Sequence, residues 1–137
     1  MEQTLEVRRI ILIDDDPITN MINTKLLTRT VDIHVTAYTN AQEALSNLRN
    51  IAVSTPGEIP EVIFLDINMP IMDGWEFLAE FQHLPTIVLD QCKVIILTSS
   101  IDHEDIEKSK KFHTVKSFAS KPLTMELITS LIPKSIQ

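Results

Sequence analysis

Asp14, Asp15, Asp66, Thr98 and Lys121 are the residues of this 137-residue chain whose types and spacing point most directly to chemistry. Each stands at or just beyond the end of a short apolar run: "RRIILIDDDP" (8–17), "EVIFLD" (61–66), "KVIILTSS" (93–100) and "VKSFASKP" (115–122). Adjacent carboxylates repel, and any that lose water rise in pKa unless a cation or hydrogen bonds offset the cost. An acidic cluster of hard oxygens suits Mg²⁺, while a lysine and a hydroxyl suit phosphate oxygens. A metal beside a carboxylate and a fixed ammonium is what phosphoryl transfer to that carboxylate requires, because such catalysis is mostly positioning and electrostatics. Taken singly, an aspartate at a strand end is more often a cap or turn residue than a ligand.

Something must bring these ends together. The three nearly unbroken apolar runs suit parallel strands covered on both faces, and weaker strands are predicted at 32–39 and 115–120. Between them lie helical spacings. Asp16 is predicted to cap a first helix with Pro17 in its first turn, and Ile18, Ile22 and Leu26 fall on one stripe. Asn40 and Glu43 begin a second, with Ala41, Ala44, Leu45 and Leu48 as its apolar face. A third covers 73–81, with Trp75, Leu78 and Phe81 inward; a polar one covers 103–112, and a last one covers 124–132 behind Thr124. The stretch 54–60 reads as a surface loop, 83–92 as a partner-specific feature, and Pro70 and Gly74 as turn formers. Strict βα alternation implies an α/β, doubly wound sheet with helices on both faces and its functional crevice at the carboxyl ends of the strands.

Composition limits the function classes. The length is that of one domain, 1–137, with its core at about 8–133. A net charge of −7 argues against direct nucleic-acid binding, which depends on basic residues. Cys92 is the only cysteine, so no intrachain disulfide forms. No apolar run reaches the roughly 20 residues of a membrane span, and the start has no apolar signal region. A cytoplasmic setting is expected. No glycine-rich phosphate loop is present, and His34, His83, His103 and His113 lack metal-ligand spacing.

Along almost its whole length, from "ILIDDDP" through "FLDINMPIMDGWEFL" and "VIILTSS" to "FASKPLT", the chain resembles the response-regulator receiver domains of bacterial two-component signalling. The resemblance implies a five-stranded parallel sheet of order 2-1-3-4-5, the flavodoxin-like arrangement, and a stand-alone receiver without an output domain. It implies Asp66 as phosphoacceptor, Asp15 as direct Mg²⁺ ligand, Asp14 as a ligand through water, and Asn68 as a ligand through its backbone carbonyl. It further implies Thr98 as switch hydroxyl, Lys121 as the lysine pairing with the phosphoryl group, and Phe118 as switch aromatic. Asn68 and Ser100 stand where the family tunes the lifetime of the phosphoryl group.

The implied partners are a sensor histidine kinase or histidine phosphotransfer protein, and a downstream target. The target is expected on the face formed by the helix at 103–112, the strand at 115–120 and the helix at 124–132. A chemotaxis-type regulator and a relay intermediate both fit, and a phosphorylation-dependent homodimer stays open. The chain is then no conventional enzyme, catalysing only its own phosphorylation and dephosphorylation. The alternative is a phosphorylation-independent interaction module that keeps the fold. An aspartyl-phosphate hydrolase is disfavoured, because those enzymes resemble a DxD nucleophile pattern after the first strand, whereas this chain carries "DINMP" (66–70) after the third and no cap insertion.

Overall fold

The computed structural model describes residues 9–29, 33–99 and 101–131. Its elements run β1 (Arg9–Ile13), α1 (Pro17–Leu27), β2 (His34–Tyr38), α2 (Ala41–Ser54), β3 (Val62–Leu65), α3 (Gly74–Phe81), α4 (Thr86–Gln91), β4 (Lys93–Thr98), α5 (His103–Ser109), β5 (Val115–Ser120) and α6 (Met125–Leu131). All strand pairs are parallel, in the order β2-β1-β3-β4-β5. The expected α/β doubly wound sheet of order 2-1-3-4-5 is therefore found.

Alternation within each central strand feeds two cores. Ile11, Ile13, Ile63, Leu65, Val94 and Ile96 meet the apolar faces of α2, α3 and α4. Ile10, Leu12, Val62, Phe64, Ile95 and Leu97 meet Leu27 of α1 and Ile128 of α6 on the other side. This is why the runs carry hardly any polar residue: neither face of β1, β3 or β4 reaches water.

Several expectations need correction. The stretch 83–92, given no secondary structure from sequence, contains α4, which buries Val88 and hands Cys92 into the core. The loop at 54–60 is exposed over 54–58 as expected, and holds a short 3₁₀ turn, Pro56–Glu58. The polar helix stops at Ser109, earlier than 112, behind an Asp102 cap. In α3 the buried residues are Phe77, Leu78 and Phe81, whereas Trp75 is half-buried. Trp75 instead stacks on Phe112 at 6.3 Å and carries the Lys108 ammonium over its ring at 5.2 Å.

Helix α1 departs furthest. Its stripe of Ile18 and Ile22 faces solvent, at 61% and 58% exposure, and its buried residues are Asn20, Asn23 and Leu27. The 3.6-residue spacing was sound, but spacing does not say which face packs inward. Asn20 decides it, through hydrogen bonds to the carbonyls that end β1 and β2.

Candidate functional site

Register brings the acids together. Ile13 of β1 pairs with Leu65 of β3, so Asp14 and Asp66 leave neighbouring strands at one level, and the Asp66 N–H donates to the Ile13 carbonyl at 2.9 Å. On the other side, Thr98 pairs with Ser120, and the Lys121 N–H donates to the Thr98 carbonyl at 2.7 Å. One edge of the sheet thus gathers Asp14, Asp15, Asp66, Thr98 and Lys121.

Asp14 and Asp66 are buried and Asp15 is exposed, and each offers a carboxylate oxygen within 4.8 Å of the others. Lys121 Nζ donates to Asp14 Oδ2 at 2.6 Å and lies 3.4 Å from Asp66 Oδ2. Asp66 Oδ1 accepts from the Asn68 N–H at 3.0 Å, and Asn68 Nδ2 reaches Thr98 Oγ1 at 3.5 Å. Asp16 is the cap expected of it, accepting from the Ile18 N–H. Thr98 is fully buried, and Phe118 of β5 is half-buried against the core beneath α2 and α3. Ser100 lies outside the described residues.

The electrostatics follow from crowding. Burial pushes the Asp66 carboxyl above the ordinary aspartate range; the Asn68 N–H and Lys121 pull it down, while Asp14 adds to the rise. For Lys121, burial works against the charge but is outweighed by Asp14 and then Asp66, so its ammonium is held more firmly than usual. Three oxygen-bearing acids with one cation between two of them leave an excess of negative charge. Such an oxygen set suits a small hard cation such as Mg²⁺.

The loop after Asp66 is built around close approach. A Cβ on Gly74 would stand 2.6 Å from Ile67 Cα and 3.0 Å from the Asp66 carbonyl. Gly74 is therefore no mere turn former: it lets the start of α3 press against the loop that follows Asp66. Asp73 and Glu76 close a capping box there, and Ile71 sits at φ 70°, a strained choice for a β-branched residue. Neither Asn20 nor the Gly74 contact was expected from sequence. The available signals were two asparagines three apart on α1 and one of only two glycines in the chain.

Residues 10–133 match the model of the response regulator receiver domain. A two-component response regulator from Cytophaga hutchinsonii is 30% identical, with 93% of this chain and 95% of that one covered at a TM-score of 0.82. The phosphorylated cyanobacterial phytochrome response regulator RcpA is 29% identical, with 90% and 88% covered at a TM-score of 0.70. Response regulator Rcp1 of Synechocystis is 29% identical over 105 residues, 76% of this chain and 70% of its own.

Proposed function

The chain belongs to the response regulator receiver family of two-component signalling, and from that premise we propose that it accepts a phosphoryl group on Asp66 from a phosphohistidine donor and signals through a separate protein. The observation that carries this reading is the buried Asp66 carboxylate, with Lys121 Nζ at 3.4 Å and two further aspartates alongside. In the transfer, the phosphorus–nitrogen bond to the donor imidazole breaks as a bond to an Asp66 oxygen forms, and the imidazole leaves with the bonding electrons. Asp15, Asp66 and the Asn68 carbonyl would hold Mg²⁺, with Asp14 reaching it through water, and the bound ion would supply charge neutralisation for the phosphoryl oxygens. Lys121 offsets the negative charge that the phosphoryl oxygens bring to Asp66, and Asp14 fixes the ammonium where it is needed.

The product adds negative charge and acceptor oxygens at a crowded spot. Thr98, which ends β4 next to Asn68, donates its hydroxyl to those oxygens, and the loop after β4 follows. Phe118 repacks on the half-buried side of β5, and the α5, β5 and α6 surface presents the change to a target. Water attack on the acyl phosphate resets the site, with Asn68 and Ser100 setting its lifetime. On α1, Ile18, Met21 and Ile22 are exposed, and Thr19 and Ile22 share a groove with Lys121 and Pro122. A phosphohistidine-bearing helix covers this stripe as it brings its imidazole to Asp66. Two-copy pairing through α5 and α6 is compatible with the same switch.

Incubation with Mg²⁺ and acetyl phosphate, read by intact mass, tests the reading. Wild type is expected to gain one alkali-labile phosphoryl group that Asp66→Asn and chelator both abolish. No adduct in the wild type would move the weight to a phosphorylation-independent interaction module.

A further inference from the structure

Beside the site, the inward face of α1 is polar where packing alone asks for hydrocarbon. Asn20 and Asn23, one turn apart, are each 5% exposed, while Ile18, Met21 and Ile22 face solvent. Exchanging the two kinds of residue would bury more apolar surface, so core stability does not explain the asparagines.

Asn20 directs its amide nitrogen to backbone. Nδ2 donates to the Asp14 carbonyl at 2.9 Å and to the Tyr38 carbonyl at 3.2 Å. A reversed amide would set Oδ1 against both carbonyl oxygens, so the acceptors fix the assignment. Oδ1 itself is buried with no partner among the described residues. A leucine here would carry no such unsatisfied acceptor; what leucine cannot supply is the pair of donors.

Those donors act at a sensitive point. The Asp14 carbonyl belongs to the planar peptide unit joining Asp14 to Asp15, and its direction sets how the two carboxylates stand to each other. The Tyr38 carbonyl also accepts from the Asp14 N–H at 3.1 Å. Asp14 is thereby gripped at both of its backbone polar groups, while its side chain is held by the Asp16 N–H and Lys121. Asn20 and Asn23 also line a small recess with Asp14 and Asp66, which puts α1 directly against the acid cluster.

We propose that Asn20 is a positioning residue for the divalent-metal site: its carboxamide latches α1 to the ends of β1 and β2 and fixes the peptide unit between the metal-binding aspartates. The inference rests on the metal-binding reading given above. It carries a signature that simple packing lacks. Mg²⁺ demands near-octahedral placement of its oxygens, whereas Ca²⁺ accepts irregular sets. Loosening the Asp14–Asp15 unit therefore harms Mg²⁺ binding more than Ca²⁺ binding.

The test is calorimetric titration of the full chain with Mg²⁺ and separately with Ca²⁺, for wild type, Asn20→Leu and Asn20→Ser, with circular dichroism to establish folding. Asn20→Leu is expected to weaken Mg²⁺ binding by about tenfold to a hundredfold and Ca²⁺ binding by clearly less. Asn20→Ser, too short to span both carbonyls, is expected to do the same and serves where the leucine variant does not fold. Unchanged affinities, or an equal loss for both ions, would overturn the role of Asn20. A wild type that binds no Mg²⁺ would instead overturn the metal-binding reading itself, a failure visible before any variant is compared.

Discussion

Asp66 holds its carboxylate where the chain gives it little water and a second buried aspartate for company. Its pKa is raised, first by burial, so the folded state binds a proton on Asp66 more tightly than the unfolded chain does. The stability this group contributes is present below the unfolded value near 3.8 and is lost as pH rises through the raised folded value. In chelator, Asp66→Asn is therefore expected to be more stable than wild type at pH 7, with the gap closing toward pH 4. Urea unfolding across that range measures it; a less stable variant at pH 7 would show that pairing with Lys121 outweighs burial. At this scale the acids were legible because each interrupts an apolar run at its end, where a buried strand has no other use for charge. Asn20 was not, since an asparagine in the first turn of a helix reads as a solvated residue until the neighbouring carbonyls are seen.

Elements carry the site through two contacts that composition does not announce. The start of α3 lies so close to Ile67 that even a methyl group on Gly74 displaces backbone. Gly74→Ala is expected to cost about 1–3 kcal/mol by overpacking and to lower acetyl phosphate reactivity, because the strained loop holds Asp66 and Asn68; urea unfolding and intact mass read the two effects. On α1, replacing Ile18 and Ile22 by glutamate removes an exposed apolar stripe without touching the core. Transfer from a phosphohistidine-bearing protein is expected to fall at least tenfold while phosphorylation by acetyl phosphate stays within about twofold. Equal effects on both donors would deny the stripe a role in docking. Helix periodicity alone left both matters undecided: it locates a stripe and leaves its direction to the hydrogen bonds at the helix start. It also passed over α4, whose six residues are too few to display a period and are held as a helix by the burial of Val88.

Across the molecule, the parallel sheet pays for its crowded edge with two apolar cores that reach from α1 and α6 on one face to α2, α3 and α4 on the other. The acids are held at that edge by register, so a cation binding between them favours the whole folded chain over the unfolded one, in which Asp66 lies far from Asp14 and Asp15. Linkage sets the size: at a hundredfold excess over its Kd, a ligand that binds only the folded state adds about 2.7 kcal/mol. For a domain of this size that corresponds to a rise in Tm of roughly 8 °C. Wild type is expected to show such a rise when Mg²⁺ is titrated, and Asp15→Asn to show little of it at the same concentrations. Because Asp15 is exposed and its loss creates no cavity, the variant's metal-free Tm should stay close to that of wild type. A full response in Asp15→Asn would mean that Mg²⁺ acts elsewhere on a surface whose net charge is −7. Screening by monovalent salt separates the cases, since diffuse attraction to that charge fades above about 0.1 M ionic strength while a site built from inner carboxylates is screened much less.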